Sequence, residues 1–472
     1  MAFGFVVRRF LRRGASLPTV AVVVLLASFP LQGSALPEAD PTLRHTELRA
    51  STPEADAVLG DPVEEVVLEF TTSVYAALSR IIVLGPDGGT RATSPVAHPS
   101  EDEDDALRVT LTEPATSGSY RVEWRATAPD GHVAQGSFEF HVGIEPAPED
   151  QAGSPEAAPP VDGQIPPTQE AGTRWLQLLG SVLLLGAVGI RFGVLPVLGR
   201  KGALPEIRTR MRTGLWRYSW VGALLLLAAL PLRLRNQLGG GAGWNEASFL
   251  LFETSWGAGW FLQLFVAILV VVGLVLAAPR GLTDAGWRIV GVAMLLLPLV
   301  PALQGHAWGA EGARAFSVPS LYLHVAGAGL WLGGLILLIL VGLPALKATP
   351  TAPEEVGDSP SVTPPLARLV NAFSRIALVS VCLVVVTGAL NSWIHVGGPD
   401  SLLGTGYGRT LLLKLGLVAI AFTLGFYNWR KVRPSLAERP DPGALRIPAS
   451  VEAVLGVVVL LVTAILVASP LP

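Results

Sequence analysis

Cysteine is nearly missing from this 472-residue chain: the one copy, Cys382, lies inside an apolar run. No disulfide framework and no cysteine metal site can be built from it. Methionine is almost as scarce, two copies besides Met1, so a Met-rich cage for Cu(I) is excluded. Charge is thin as well. Only 15% of residues are Asp, Glu, Lys or Arg, against about 25% in soluble proteins. Half are hydrophobic, and mean hydropathy is +0.50. These shortages exclude a disordered protein, a nucleic-acid binder and an ordinary cytosolic enzyme, and they leave a chain with several membrane spans.

The net charge of −3 is small but unevenly spread. Residues 45–143 hold 6 basic and 17 acidic side chains, whereas residues 174–472 hold 23 basic and 12 acidic. An acidic module joined to a basic one predicts two domains in different surroundings. Ahead of both, Arg8, Arg9, Arg12 and Arg13 precede the apolar stretch Val20–Leu31, and Gly33-Ser34-Ala35 supplies small residues. This is the pattern of a secretory signal over residues 1–35, with an uncleaved anchor as the alternative. Either way the chain beyond Ala35 is exported.

Within 45–143, Val63–Phe70, Ser79–Leu84, Leu107–Leu111, Tyr120–Ala126 and Ser137–Val142 alternate with period two, as half-buried strands do. Gly85-Pro86-Asp87-Gly88-Gly89 and Pro129-Asp130-Gly131 are turn chemistry. The prediction is a small all-β Greek-key sandwich or barrel. Four of the seven histidines fall here: His45, His98, His132 and His141. In Asp130-Gly131-His132 a carboxylate and an imidazole two residues apart can converge on one ion. That pair suits Cu(II), Zn(II) or Ni(II) rather than Cu(I), and a solvated turn is the alternative reading. His98 falls in an acidic exposed loop and His141 in the last strand, where surface or packing roles suffice.

Residues 144–172 are rich in Pro, Glu, Ala and Gly and read as a solvated tether. Beyond it, eight apolar segments near 175–198, 214–234, 256–278, 287–304, 318–343, 372–394, 409–428 and 450–468 are long enough to span a bilayer as helices. An exported amino-terminal domain makes the first span run inward. Basic residues then gather on the inner side, at Arg200, Lys201, Arg208, Arg210, Arg212, Arg280, Lys347, Arg430, Lys431, Arg433, Arg439 and Arg446. The same topology brings His306, His324 and His395 to the outer face. Intramembrane imidazoles mark ion paths or cofactors, with interfacial, water-satisfied histidine as the alternative. Lys414 in the seventh span and Glu452 opening the eighth, near the inner interface, need no transport role.

Ser117–Val142, SGSYRVEWRATAPDGHVAQGSFEFHV, resembles the carboxyl-terminal half of a CopC-type copper-binding domain. His45-Thr46-Glu47-Leu48 with Ser51-Thr52-Pro53 resembles its start. The resemblance implies an Ig-like β fold that holds Cu(II) through His45, Asp130 and His132, the first by imidazole and free amine together. Cleavage after Ala35 would leave nine residues before His45 and remove that amine. The His324–Gly334 segment, Phe373-Ser374-Arg375, Thr387–Asn391, Tyr407–Lys414 and Tyr427-Asn428 resemble the CopD membrane domain over roughly 175–468. Together they imply a non-enzymatic, multi-pass cell-membrane protein of copper transport, uptake in particular, or copper tolerance. His306, His324 and His395 would form the membrane path, and copper would come from a donor in the periplasm or outside the cell. A haem-binding membrane oxidoreductase, a histidine-brace monooxygenase and a non-transporting copper-delivery partner are the alternatives.

Overall fold

The computed structural model describes residues 46–92, 95–100, 102–129, 133–143, 167–199, 205–239, 243–278, 283–303, 314–347, 364–396, 399–438 and 441–469. The amino-terminal module is a sandwich of two sheets. One has the order β1-β3-β6, with β1 Leu48–Thr52, β3 Val63–Phe70 and β6 Ala106–Ala115. The other runs β2-β8-β7-β4-β5, with β2 Val58–Leu59, β4 Arg80–Leu84, β5 Thr90–Ala92, β7 Gly118–Thr127 and β8 Val133–Val142. The chain crosses between the sheets repeatedly, as a Greek-key sandwich requires.

Alternation places Val66, Leu68 and Phe70 of β3 against Ile81 and Val83 of β4 and Tyr120, Val122 and Trp124 of β7, while Glu65, Val67 and Glu69 point away from the core. Phe70 meets Trp124 edge-on at 5.4 Å, and Tyr120 stacks on Phe140 at 5.3 Å. β1, β2 and β5 escaped the sequence pattern because they are short or polar, held by their neighbours rather than by a buried face of their own. β7 and β8 pair antiparallel from Gly118↔Val142 to Thr127↔Val133. The segment that joins them therefore contains the Asp130-Gly131-His132 turn.

Among the described residues, eight helices are long and apolar enough to cross a membrane: Thr168–Leu198, Pro205–Leu238, Ser255–Leu276, Thr283–Ala302, Phe316–Lys347, Pro365–Trp393, Gly406–Leu436 and Pro442–Ala468. They are termed the first to eighth spans. Most outrun the apolar windows. The second has 34 residues, about 51 Å of helix against a hydrocarbon core of about 30 Å. The first helix starts at Pro167, inside the stretch read as tether, because proline suits a first turn and Glu170 pairs with Arg174 at 2.6 Å. Thr254, Thr405 and Asp441 cap the third, seventh and eighth spans through their side-chain oxygens. Gly186 and Gly333 let the first and fifth spans touch backbone to backbone, since a Cβ on Gly186 would lie 2.1 Å from the Gly333 carbonyl carbon. The fifth span carries π turns at Gly329–Gly333 and Leu338–Gly342, and the seventh carries one at Asn428–Val432.

The sandwich is seated on one end of the bundle. Arg125 of β7 donates to the carbonyls of Gln237 at 2.6 Å and Leu238 at 3.2 Å, the last residues of the second span. Tyr75 meets Phe249 of the short helix Trp244–Glu253 edge-on at 5.3 Å. Ser255, which opens the third span, donates its hydroxyl to the Pro129 carbonyl at 3.3 Å. This end is called the sandwich end below and the opposite one the far end.

Candidate functional site

The segment that joins β7 and β8 is fixed at both edges. Thr127 and Val133 close the strand ladder, and Pro129 is tied to the third span through Ser255. Asp130 and His132, and likewise His45 and His306, lie outside the described residues. His395 stands in the last turn of the sixth helix, Pro365–Val396, one turn beyond Asn391, and its side chain lies outside the described set. Among the described residues no three His, Cys, Asp or Glu side chains gather as a metal group.

The remaining sandwich histidines have structural partners. The His98 ring nitrogen Nδ1 is 2.8 Å from the Ala106 carbonyl, which fastens its half-buried loop to β6 rather than leaving it open in solvent. His141 Nδ1 is 2.9 Å from Ser119 Oγ across the β7–β8 ladder, and His141 is buried.

In the bundle, His324 anchors a polar seam between the fifth and sixth spans. The helix that bears it begins at Arg314, ten residues and about 15 Å earlier, at the sandwich end by the alternation of the spans. His324 Nδ1 is 3.1 Å from Thr387 Oγ1, and that hydroxyl donates to the Leu383 carbonyl at 2.5 Å. With its hydrogen committed to Leu383, Thr387 Oγ1 is placed to accept from Nδ1, which favours the Nδ1–H tautomer, and the Val384 backbone also bonds the ring. The ring lies along the backbone of Gly388, where a Cβ would stand 3.3 Å from Cε1. Lys414 of the seventh span is close enough for its charge to act on the imidazole. Ser320, one turn nearer the sandwich, donates to the Thr387 carbonyl at 3.3 Å, and Ser317, Ser320, Ser380 and Thr387 are all buried. Ser320 and His324 meet Thr387, and Ser380 lies beside Gly327; Ser317, Ser320 and His324 on one helix and Ser380, Thr387 and Asn391 on the other follow helical spacing. That periodicity is visible in the sequence, yet hydropathy alone passes over it.

Two features had no sequence signal. Burial draws the Arg125 guanidinium down to about 10 despite the nearby Glu170 carboxylate, and it remains charged at neutral pH. Glu452 was expected near the opening of its span, but that helix begins at Pro442, and the carboxylate is buried ten residues inside it.

A β sandwich seated on a bundle of helices long and apolar enough to cross a membrane, with a buried imidazole and hydroxyl seam between two of them, defines a two-module membrane protein. Comparison with known proteins makes this specific. The family model described as CopC domain matches residues 48–143, and that of Copper resistance protein D matches residues 367–466. Copper transport protein CutJ of Bacillus subtilis is 26% identical over 437 residues, covering 91% of this chain and 74% of that protein. Copper resistance protein C of Escherichia coli is 31% identical over 106 residues, covering 21% of this chain and 82% of its own length. The crystal structure of CopC from Methylosinus trichosporium OB3b aligns at 26% identity with a TM-score of 0.20, covering 22% of this chain and all of that one. The chain belongs to the CopC/CopD copper-resistance family, as a CopC domain fused ahead of a multi-pass CopD membrane domain.

Proposed function

We propose that this protein takes up copper: the sandwich binds Cu(II) outside the membrane and passes it to imidazoles at the adjoining end of the bundle. Asp130 and His132 are the ligands proposed for the sandwich, an oxygen and nitrogen set suited to Cu(II). His45 is a third only where its amine or imidazole reaches the turn. His306, His324 and His395 are the proposed receiving groups.

The observation that carries this reading is the junction. Ser255 holds Pro129, the residue before Asp130, at the start of the third span, while Arg125 caps the end of the second. What supports the reading is that Pro129, which precedes the proposed ligand pair, is tied to the sandwich end of the bundle, the end nearer His324. An exported sandwich is supported by the basic far-end residues Arg208, Arg210, Arg212, Arg430 and Lys431, which the positive-inside rule assigns to the cytoplasm.

The test is cellular copper content with and without the gene at low external copper, with His132→Ala and His324→Ala alongside. Uptake predicts less copper in the deletion and in both variants, with the variant proteins still inserted. Higher copper in the deletion overturns uptake in favour of tolerance. An intense visible haem spectrum from purified protein would overturn the copper path itself.

A further inference from the structure

Glu452 is an acid buried within the membrane bundle, only 6% exposed. Two neutral donors reach it. Trp331 Nε1 donates to Oε1 at 3.3 Å, and Asn428 Nδ2 donates to Oε2 at 3.0 Å. Each donor sits on a π turn, Gly329–Gly333 in the fifth span and Asn428–Val432 in the seventh, a local rewinding common at functional positions. The Trp331 ring is held by Phe422 at 5.2 Å. Gly425 makes the space for the carboxyl group, since a Cβ there would stand 3.0 Å from Oε1.

No basic side chain pairs with this carboxylate among the described residues; its partners are Asn428 and Trp331 alone. Of the titratable groups on the surrounding elements, Tyr427, Arg430 and Lys431 of the seventh span, Lys347 of the fifth and Arg446 of its own helix are exposed, and Arg191 of the first pairs with Asp284. Lys414 acts on His324 instead. A carboxylate in apolar surroundings with only neutral donors is costly, and such groups mark proton or ion pathways. Asn428 Oδ1, buried beside it, has no hydrogen-bond partner among the described residues. A half-turn of the amide exchanges Nδ2 for Oδ1. Nδ2–H then suits the carboxylate, and Oδ1 suits the O–H of the protonated acid, so one side chain serves both states. A lone carboxyl with no imidazole or thiolate beside it is a poor copper site, and no three-ligand group exists among the described residues.

We propose that Glu452 is a proton-binding site of the bundle, loaded from the far end along the seventh span and emptied as copper crosses, so that a proton moves with copper translocation. A proton from water at that end forms the O–H bond on Oε2, and release restores the carboxylate. The coupling rests on the transport reading above; the proton site does not.

The test uses the full chain in lipid bilayers. An infrared pH-difference spectrum recorded without copper should contain a carboxylic-acid carbonyl band that is lost as the pH is raised. The band should vanish in Glu452→Gln and change its midpoint in Asn428→Leu. Vesicles carrying a lumenal pH dye should show proton movement together with copper in the wild type. In Glu452→Gln that movement should be lost and copper flux slowed at least about tenfold, a barrier change of about 1.4 kcal/mol. A band that survives Glu452→Gln, or no titrating band, overturns the proton site. Unchanged proton-linked flux in Glu452→Gln overturns the coupling. Wild-type vesicles that take up no copper overturn transport and coupling together, while the infrared result still decides the site.

Discussion

Arg125 is the residue on which the seating of the sandwich can be tested most sharply. It makes two charge-assisted bonds to the carbonyls that end the second span, each worth about 1.5–3 kcal/mol. Against them stands burial of the guanidinium, which lowers its pKa from 12.5 to about 10 and so opposes the charged form by about 3 kcal/mol. The two effects nearly cancel. Arg125→Ala removes both, and the freed carbonyls can be hydrated, so docking should weaken by only about 1 kcal/mol. Arg125→Glu differs in kind. A carboxylate cannot donate to carbonyls, it faces the negative end of a helix dipole, and it would be buried without a partner, a cost of about 3 kcal/mol or more. The ratio of docked to undocked sandwich should therefore fall at least about 100-fold. Electron paramagnetic distance measurements report this directly, with one label on the sandwich, one at the far end, and Cys382→Ala to remove the one native thiol. Arg125→Glu should broaden the distance distribution and slow copper uptake without changing Cu(II) affinity, while Arg125→Ala stays near wild type. A narrow, wild-type distribution in Arg125→Glu would refute the junction as the element that holds the ligand turn.

His132→Ala should weaken Cu(II) binding to the purified chain at least about tenfold, the loss of one ligand, whereas His98→Ala, whose ring already engages the Ala106 carbonyl, should change it less than about twofold; calorimetric titration separates them. Thr387→Val removes the acceptor that favours the Nδ1–H tautomer of His324, so copper accumulation should fall, though less than in His324→Ala. The Gly89 amide and then Arg91 hold the Asp87 carboxyl below its ordinary 3.8. A lowered acid contributes stability above that value and loses it as pH falls through the folded one. Melting curves across the acid range should thus show a small loss for Asp87→Asn at neutral pH that disappears in acid, small because the side chain is exposed. Phe140→Ala should cost the sandwich about 3–5 kcal/mol by emptying the stack with Tyr120.

The long strands and all eight spans were legible because each carries its own hydrophobic period or run, from Val63–Phe70 to Pro442–Ala468. Helix ends were not, because caps such as Thr254 and polar first turns such as Pro167–Glu170 extend a helix without apolar residues. His324 stood out as an imidazole in an apolar run, but the role of Thr387 as its acceptor depends on two helices meeting 63 residues apart. Arg125 read as one more outward residue of an alternating strand. Its neighbours Gln237 and Leu238 are more than a hundred positions away, and no local pattern reports so distant a partner. Glu452 was misread for the same reason: depth in a bundle is set by where its helix starts, and that start lies in the polar segment at Pro442.

The proposed donor set has a consequence for direction of flow. With cleavage after Ala35, nine residues precede His45 and its amine is spent in a peptide bond. The proposed site then has Asp130 and His132 without the amine that would tighten the ion's hold. Fewer strong ligands mean faster release, because each lost nitrogen donor lowers the barrier to leaving. A storage protein would be worse for that change, and a donor that must surrender its ion would be better. In the proposed handover His324, nearer the same end of the bundle, is the receiving imidazole for an ion held loosely there. Restoring the amine by engineering cleavage directly before His45 should therefore tighten Cu(II) binding and slow uptake at the same time. Tighter binding with faster uptake would show that capture, not release, limits the flow, and the handover order argued here would be wrong.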